Sequence, residues 1–441
     1  MTLKSRFDRG IHFFLITVML GQAIGYGKLY VFHLALLYIL FIYVYALGRN
    51  IDLQIQKRKT FFLGFFKIMF LWYFTSIFWS YNIFYSFRYV GYIILGISIV
   101  YFTYKWCSTI EKFQTAFKII QVVFLIQLFV CILEIFTPFR FPTSPYSPYA
   151  AFFGKKASDL TGFTMASKIF ISTVPTGFLG NPNNLAIVIV TGFPFLWFTK
   201  RSLKKVFISL LLLIVAIYSG SRGALIGLIL GYIFYLFIAK RKIFFLLVPF
   251  CILFSSIFIS NLDLLRQSDN VRVADIANLG QTVVEYFSQE QSTGGSISER
   301  RQLIRNGMEA LWASNGIGVG GGGALAVQEK YGGVGDLESM HNFWIEILVE
   351  SGVLFFLAFV TWYIILTYQM FKIFKTNSNF IIRQYAGAVC VALVVFSVSC
   401  ISASSVIYLL QMWLLFGFAI ALYTISKSSK VNNEDINFIR S

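Results

Sequence analysis

The sequence predicts an all-α, polytopic membrane protein with about 12 transmembrane helices and a large, mainly helical extracytoplasmic loop between helices 9 and 10. Hydrophobic residues make up 57% of the 441-residue chain and charged residues only 13%. Apolar runs of about 18 to 22 residues, the length that a bilayer requires of a helix, recur along the whole chain. Basic residues collect in every second connection between these runs, as they do in membrane proteins.

The apolar runs predict spans at 11–27, 30–48, 61–79, 86–104, 117–137, 183–199, 206–220, 223–239, 243–260, 342–370, 385–403 and 405–425. Basic residues precede the first run, as in a signal peptide, but no small-residue cleavage site follows, so we interpret the run as a retained first helix. The chain then divides into 1–260 with helices 1–9, an extracytoplasmic domain at 261–341, and 342–441 with helices 10–12 and a short cytoplasmic tail.

The formal net charge is +18. Twelve spans put both termini on one side of the membrane, and that side also receives the basic connections, which contain Arg49, Lys57, Arg58, Lys59, Lys105, Lys112, Lys118, Lys200, Arg201, Lys204, Lys205, Lys240, Arg241, Lys242, Lys372, Lys375 and Arg383. Positive charge near spans marks the cytoplasmic side. We therefore expect a protein of the cytoplasmic membrane with both termini inside, and no nucleic-acid partner.

The five cysteines lie in or beside apolar runs without paired spacing, which predicts neither a disulfide framework nor a metal site. They are Cys107, Cys131, Cys251, Cys390 and Cys400.

Two long segments, about 138–180 and 261–340, fall on the outer side, and structureless loops of such length are uncommon unless they are functional. The second contains SERRQLIRNGMEALWAS, whose apolar residues Ile304, Met308, Leu311 and Trp312 recur at helical spacing while Arg301 and Arg305 share another face. We expect a helix on the outer membrane surface.

The segment NGIGVGGGGALAVQ follows this helix. Its glycines loosely match a dinucleotide fingerprint, but no strand precedes them and the outer side has no cytosolic nucleotide pool, so we reject that function. Two interpretations stay open: backbone N–H groups that approach an anion, or a flexible turn, which we favour.

The stretch SGSRG, residues 219–223, is the predicted outer turn between the seventh and eighth spans. Gly220 and Gly223 permit the turn, and Ser219 and Ser221 can satisfy freed backbone groups. Placing an arginine in hydrocarbon costs several kcal/mol of free energy, so the presence of Arg222 indicates a function. It either anchors the turn to lipid headgroups or binds an anionic substrate at the outer interface.

Of the three histidines, His12 and His33 accompany the first two spans and fit hydrogen-bonded core positions, whereas His341 begins the tenth span on the outer side. His341 either eases helix entry or meets an outer substrate. Glu346 and Glu350 follow on one face of the same helix. Their negative charge either stabilises the positive N-terminal end of the helix dipole or orients cations of a site.

Four motifs, TGFLGNPNNLA, SGSRGALIGLIL, SERRQLIRNGMEAL with GIGVG, and HNFWIEILVESGVLF, occur in the order and spacing of the O-antigen ligase and Wzy-type polysaccharide polymerase superfamily, which the chain resembles from about Thr176 to Phe356. Two features depart from the family pattern. The proline usual before the G-x-G element is absent, and the neighbours Arg300 and Arg301 make the aligned arginine ambiguous.

The resemblance implies a helical membrane glycosyltransferase that is inverting, independent of metal ions and without a cofactor. It would act on the outer face of a bacterial cytoplasmic membrane, with a glycan on undecaprenyl pyrophosphate as donor and a sugar hydroxyl as acceptor. His341 matches the catalytic residue, and Arg222 and Arg301, with Arg300 and Arg305 nearby, match the pyrophosphate-binding residues. Supporting residues would be Asn342, Glu346, Glu350, Asn181, Asn183 and Ser221.

We favour a polymerase of surface-polysaccharide repeats, of the capsule, exopolysaccharide, O-antigen or teichuronic-acid type, because nothing indicates a particular acceptor. A flippase and a chain-length regulator would then be protein partners. A ligase that transfers to lipid A core or protein is the alternative. A polysaccharide flippase or other transporter is a third interpretation. Transporters usually show internal repeats and polar residues at the membrane midplane. Here the two halves look dissimilar, and Glu134 is the one acidic residue deep in a span outside the tenth.

Overall fold

A computed structural model of the protein describes residues 2–158, 165, 168, 171–198, 203–267, 274, 277, 296–332, 339–403 and 405–440. The chain is mostly helical. The described helices are α1 (Leu3–Leu20), α2 (Val31–Gly48), α3 (Phe61–Thr75), α4 (Ile83–Trp106), α5 (Ile110–Phe136), α6 (Pro182–Trp197), α7 (Leu203–Tyr218), α8 (Arg222–Ala239), α9 (Arg241–Ser260), α10 (Leu262–Arg266), α11 (Ser296–Ala313), α12 (Gly323–Tyr331), α13 (Phe343–Thr376), α14 (Phe380–Ser399) and α15 (Leu410–Arg440). Short 3₁₀ turns lie at Ser76–Trp79, Ala150–Phe153 and Cys400–Ser402, and strands Gly25–Tyr26 and Leu29–Tyr30 form an antiparallel hairpin in which Gly25 pairs with Tyr30.

Among the described residues, eight helical segments are long and apolar enough to cross a membrane: Val31–Gly48, Phe61–Trp79, Ile83–Trp106, Ile110–Phe136, Arg222–Ala239, Phe343–Thr376, Phe380–Ser402 and Leu410–Ser428. They confirm an all-α polytopic membrane protein. The remaining predicted spans coincide with α1, α6, α7 and α9, so each predicted apolar run is helical, and the total of twelve spans stays a prediction.

The first helix differs most from its predicted bounds, because it runs over Leu3–Leu20 and not over 11–27. Thr2 caps its start by accepting from the Ser5 backbone N–H, and Gly21, with φ 55°, ends it. Charged residues thus lie inside the first turns, where Asp8 accepts a 2.7 Å hydrogen bond from the Trp106 indole.

Two of the basic connections, the one at 49–60 and the one between α4 and α5, meet at one end of the helix bundle. The Lys105 ammonium donates to the Gln56 carbonyl at 2.8 Å, and the Lys112 ammonium donates to the Gln54 carbonyl at 2.8 Å. The 49–60 connection therefore lies against the end of α4 and the start of α5, at the end that also contains the start of α1. This grouping is the one that the charge pattern predicts for the cytoplasmic side.

Helix α8 packs very closely on α14 through glycines spaced four residues apart, on one face of the helix. A Cβ atom at Gly223 would lie 2.6 Å from the Ser402 hydroxyl oxygen, and one at Gly231 would lie 2.1 Å from a Val395 methyl carbon. Small residues allow membrane helices to approach in this way. The contact fixes the start of α8 against the end of α14.

The glycine-rich loop 316–322 is mostly buried and packs against α13 where that helix is kinked at Gly352, which has φ +79°. The Val319 backbone N–H donates to the Val349 carbonyl at 2.9 Å. A Cβ atom at Gly318 would lie 2.5 Å from the Gly352 nitrogen. The prediction of a flexible turn is therefore wrong, since these glycines are needed for close packing of backbone on backbone.

The predicted helix of the segment 261–341 is present as α11, but its buried face is not the predicted one. Leu303, Gly307 and Leu311 are buried, whereas Trp312 is 66% exposed. The buried face packs near α12 and α13 around a small second core that contains Ala310, Val319, Ala324, Val327, Met340 and Val349. The buried face of α11 is therefore shifted by about one residue from the predicted face. This shift decides which arginine of the helix is partly buried.

Candidate active site

Arg222 is the first residue of α8 and is partly buried. The turn before it has the predicted form at Gly220, with φ +69°, and at Ser219, whose hydroxyl accepts from the Ser221 backbone N–H at 3.3 Å, whereas Gly223 lies inside α8. The Ser221 hydroxyl lies 3.1 Å from that of Ser402 and makes no cap hydrogen bond to α8. The N–H groups of this helix end are therefore uncapped by Ser221 and carry partial positive charge beside the Arg222 backbone.

The four candidate arginines separate into two groups. Arg301 and Arg305 lie on the exposed face of α11, where Arg305 forms an ion pair with Glu309 at 2.9 Å. Arg300 lies on the opposite, partly buried face. Burial lowers the pKa of Arg300, and the positive charge of Arg222 lowers it further. The structure therefore brings Arg300 near Arg222 and leaves Arg301 and Arg305 outside this pair.

His341 lies close enough to Arg300 to be affected by its charge. Its backbone has φ 47°, in the left-handed region that a residue with a side chain rarely adopts. Its Nδ1 is buried and has no hydrogen-bond partner among the described residues. Burial lowers the pKa of His341 from 6.5 to about 4, with a further contribution from the charge of Arg300. The imidazole is therefore neutral at ordinary pH and has a nitrogen that no described residue uses.

Both supporting asparagines at helix starts act as N-caps. Asn342 accepts from the Trp344 and Ile345 backbone N–H groups at 3.1 and 3.3 Å, which begins α13 directly after His341. Asn181 in the same way accepts from the backbone N–H of Asn183 at 2.9 Å. Their side-chain oxygens are therefore engaged in holding helix ends, and Asn183 contributes its backbone to one of them.

Glu346 and Glu350 lie inside the bundle, at 1% and 0% exposure. The Tyr89 and Ser405 hydroxyls donate to Glu346 Oε1 at 2.9 and 2.6 Å. No ion pair joins either carboxylate to a site arginine within the part of the chain that the structure describes. The expectation that they orient cations of the site stays a prediction; through these two hydrogen bonds Glu346 ties α4 and the segment before α15 to α13.

Sequence reasoning missed Ser402, which anchors the turn that carries Arg222. It belongs to the run SVSCISASS, residues 397–405, whose small hydroxyl residues inside an apolar span are the available signal. Glu134, the acidic residue deep in α5, accepts from the Thr176 and Gly177 backbone N–H groups at 2.8 and 2.7 Å, and so holds the segment that leads to Asn181.

The arrangement suits an anion with more than one charge. Two partly buried cations near each other repel unless a counter-ion lies between them, and guanidinium groups bind phosphate oxygens in pairs. The uncapped start of α8 adds positive partial charge, as at many anion-binding helix ends. A neutral histidine beside such an anion can accept a proton from a hydroxyl group.

An apolar groove of about 660 Å³ lies between α8, α13 and α14. Its lining includes Phe237, Trp344 and Ile364. Trp344 follows Asn342 by two residues, so the groove reaches the start of α13. Phe237 and Ile364 are 46% and 59% exposed, so the groove opens on the outside of the bundle, where lipid would lie.

Comparison with known proteins agrees with the motifs. Residues 207–360, which include Arg222, Arg300 and His341, match the family described as O-antigen ligase. The chain is also 22% identical to the teichuronic acid biosynthesis protein TuaE of Bacillus subtilis (strain 168), over 95% of this chain and 83% of that protein. The predicted resemblance to the O-antigen ligase and Wzy-type polymerase superfamily is therefore confirmed over residues 207–360.

Proposed function

We propose that the protein transfers a glycan from a polyprenyl pyrophosphate, of the undecaprenyl type, to a sugar hydroxyl. The observation that carries this proposal is the grouping of Arg222, Arg300 and His341, two cations and one neutral base from three separate segments. A lipid pyrophosphate is a multiply charged anion, and two guanidinium groups can bind its oxygens through paired hydrogen bonds.

The reaction needs no group beyond these side chains and the two substrates. The acceptor hydroxyl oxygen attacks the anomeric carbon of the donor sugar, and the bond from that carbon to the pyrophosphate oxygen breaks. The hydroxyl proton passes to His341, and Arg222 and Arg300 stabilise the charge on the departing pyrophosphate. Attack opposite the leaving group inverts the anomeric centre, so we propose an inverting transfer without a metal ion or cofactor.

Arg300, and not Arg301, has the pyrophosphate role in this proposal. Arg300 lies on the inward face of α11 and interacts with Arg222, while Arg301 is exposed. Bound pyrophosphate would also cancel the positive charge that helps to hold the pKa of His341 low. Donor binding would therefore make His341 a stronger base at the moment when the acceptor needs one.

The apolar groove supports a lipid-linked donor. It begins beside the start of α13, at the same end as His341, and its lining is aromatic and aliphatic. A prenyl chain placed there would leave its pyrophosphate at the arginines. A donor that is soluble would have no use for this groove, and a flippase would not need the neutral base.

Within this chemistry we favour a polymerase. The similar Bacillus subtilis protein is named for the biosynthesis of teichuronic acid, a repeating polymer, and not for a transfer to lipid A core. Deletion of the gene tests the choice. A polymerase predicts accumulation of single lipid-linked repeats, whereas a ligase predicts full-length chains that remain on the lipid carrier.

We also propose that the site faces outward and that both termini are cytoplasmic. Cysteines introduced at Ser296 and Lys204 test this orientation. A membrane-impermeant maleimide should label position 296 in intact cells, and position 204 only after permeabilisation. The reverse pattern would place the site in the cytoplasm and contradict the proposed function.

A further inference from the structure

A second, polar cavity of about 320 Å³ lies between the segment after α1, the starts of α2 and α6, the middle of α4 and the start of α15. Its lining includes His33, Tyr92, Asn184, Tyr408 and Gln411. Its volume falls at the small end of ligand-binding pockets, about 300 to 1,000 Å³. Neither the arginines nor His341 line it, so the proposed transfer chemistry does not account for it.

Two buried amide oxygens at this cavity have no hydrogen-bond partner among the described residues: Asn184 Oδ1 and Gln411 Oε1. The two residues are 2% and 9% exposed. A buried acceptor without a hydrogen-bond partner destabilises the folded protein. Two such acceptors that line one cavity therefore indicate a ligand that donates two hydrogen bonds.

The orientation of the Gln411 amide is fixed by the chain around it. Its Nε2 donates to the Val18 and Met19 carbonyls, at 2.9 and 3.2 Å, at the end of α1. The flipped amide would place an oxygen against two carbonyl oxygens. Oε1 is therefore held as a ready acceptor for a ligand.

The remaining walls provide a donor and aromatic faces. His33 Nδ1 accepts from the Tyr30 backbone N–H at 2.9 Å, which leaves the proton of the neutral ring on Nε2. The rings of Tyr92 and Tyr408 lie 6.0 Å apart, centroid to centroid. Amide acceptors, an imidazole donor and aromatic faces together match a sugar ring, which has hydroxyl groups at its rim and C–H groups on its faces.

The cavity is mechanically tied to the helix that follows His341. Tyr89, one turn before Tyr92, and Ser405, three residues before Tyr408, both donate to the Glu346 carboxylate. Glu346 lies five residues after His341 on the same segment. Two walls of the cavity are thus fixed relative to the proposed base, while the apolar groove for the donor lipid lies along α8, α13 and α14.

We infer that this cavity binds a monosaccharide unit of the acceptor glycan. The inference rests on the proposed function, and it assigns the donor and acceptor to separate places: prenyl chain in the groove, pyrophosphate at the arginines, acceptor sugar at Asn184 and Gln411. Asn184 and Gln411 are binding residues here, and no bond changes at the cavity.

The test uses purified full-length protein in a detergent without a sugar headgroup, or in proteoliposomes. The probe is the repeat oligosaccharide released from its lipid carrier by mild acid, which has no pyrophosphate and so can act only as acceptor. With lipid-linked repeats as a constant donor, Asn184→Ala should raise the half-saturating concentration of the oligosaccharide about threefold to tenfold, the effect of one lost hydrogen bond. Thr191→Ala, on the same helix but bonded to the Ile187 carbonyl, is the matched control.

A second measurement separates binding from folding and from turnover. Asn184→Ala should keep the thermal midpoint of the empty protein, because Oδ1 has no partner to lose. Saturation-transfer NMR should detect oligosaccharide binding to His341→Ala protein and weaker binding once Asn184→Ala is added. Equal affinities in the two proteins would overturn the inference even if wild-type protein polymerises normally. Absence of transfer by wild-type protein, with binding intact, would instead contradict the proposed function.

Discussion

The hydroxyl groups of Ser221 and Ser402 lie 3.1 Å apart and join the residue before Arg222 to the 3₁₀ turn that follows α14. Gly223, the residue after Arg222, also allows this contact, because a Cβ atom there would lie only 2.6 Å from the Ser402 hydroxyl oxygen. The position of Arg222 is therefore set by helix packing and not by its own turn alone.

Gly223→Ala should push α8 away from α14, lower stability by about 1 to 3 kcal/mol and reduce polymer formation, because a packed contact has no space for the methyl group. Gly64→Ala is the control, since a Cβ at Gly64 meets nothing within 4 Å. The alanine at position 64 should be neutral or stabilising by up to about 1 kcal/mol. Thermal unfolding of the two purified variants compares them, and equal midpoints would argue against the close contact.

Arg300→Lys and Arg222→Lys should each lower polymer formation about 10²- to 10³-fold at normal membrane abundance, since a lysine cannot present a planar pair of donors to a pyrophosphate. Arg301→Lys, a change at the next residue on the exposed face, should retain activity near that of wild type. The assay is incorporation of labelled lipid-linked repeats by membranes that contain equal amounts of each protein. Loss of activity in Arg301→Lys with full activity in Arg300→Lys would reverse the assignment.

The pH dependence follows from the lowered pKa of His341. Because kcat/KM reports the free enzyme, protonation of His341 should reduce it only near about pH 4 and not near the ordinary value of 6.5. The kcat profile should have its acidic limb at higher pH, since bound pyrophosphate cancels the charge of Arg300. His341→Gln should lack this limb, and a wild-type kcat/KM that halves at pH 6.5 would contradict a buried, neutral imidazole.

The lowered pKa of His341 also determines how the stability of the protein depends on pH. Its pKa is lower in the folded protein than in the unfolded chain, so the unfolded chain binds the proton first as pH falls. The contribution of His341 to stability is therefore complete above about pH 6.5 and is lost between 6.5 and about 4.

Glu346→Ala should destabilise the protein by about 1 to 3 kcal/mol or more, because it leaves the Tyr89 and Ser405 hydroxyls without their buried acceptor. Glu346→Gln keeps an acceptor oxygen for these hydroxyl groups and should therefore lose less stability than Glu346→Ala. Glu309→Ala, which breaks only the exposed pair with Arg305, should change stability by less than about 1 kcal/mol. Thermal midpoints of the three variants measure the order, and a midpoint for Glu346→Ala equal to that of Glu309→Ala would show that the buried network contributes little.

Hydropathy predicted the helices well because each long apolar run has no other way to satisfy its backbone in a bilayer. It misplaced α1 because four charged residues, Lys4, Arg6, Asp8 and Arg9, look like a flank of the helix, and the partners that accommodate them come from distant segments such as Trp106. The glycine loop was misread for a similar reason. Its packing partner is the kink at Gly352, which no local pattern connects with it.

Residue types and order single out Arg222 and His341 as candidates, since a charged or titratable residue at the end of an apolar span is unusual. The choice between Arg300 and Arg301 was not predictable, because it depends on which face of α11 packs on the bundle. Asn184 and Gln411 gave no signal, since each is an ordinary amide until separate chain segments meet around one cavity.

The central claim is that His341 accepts the proton of the attacking hydroxyl beside a pyrophosphate held by Arg222 and Arg300. The most direct measurement is extension of purified lipid-linked repeats by His341→Ala in proteoliposomes, with donor binding measured on the same preparation. General-base assistance contributes about 10²- to 10⁴-fold, so the variant should bind the lipid-linked repeat yet extend it at least about 10²-fold more slowly than wild type. Extension at the wild-type rate by folded His341→Ala protein would contradict the account.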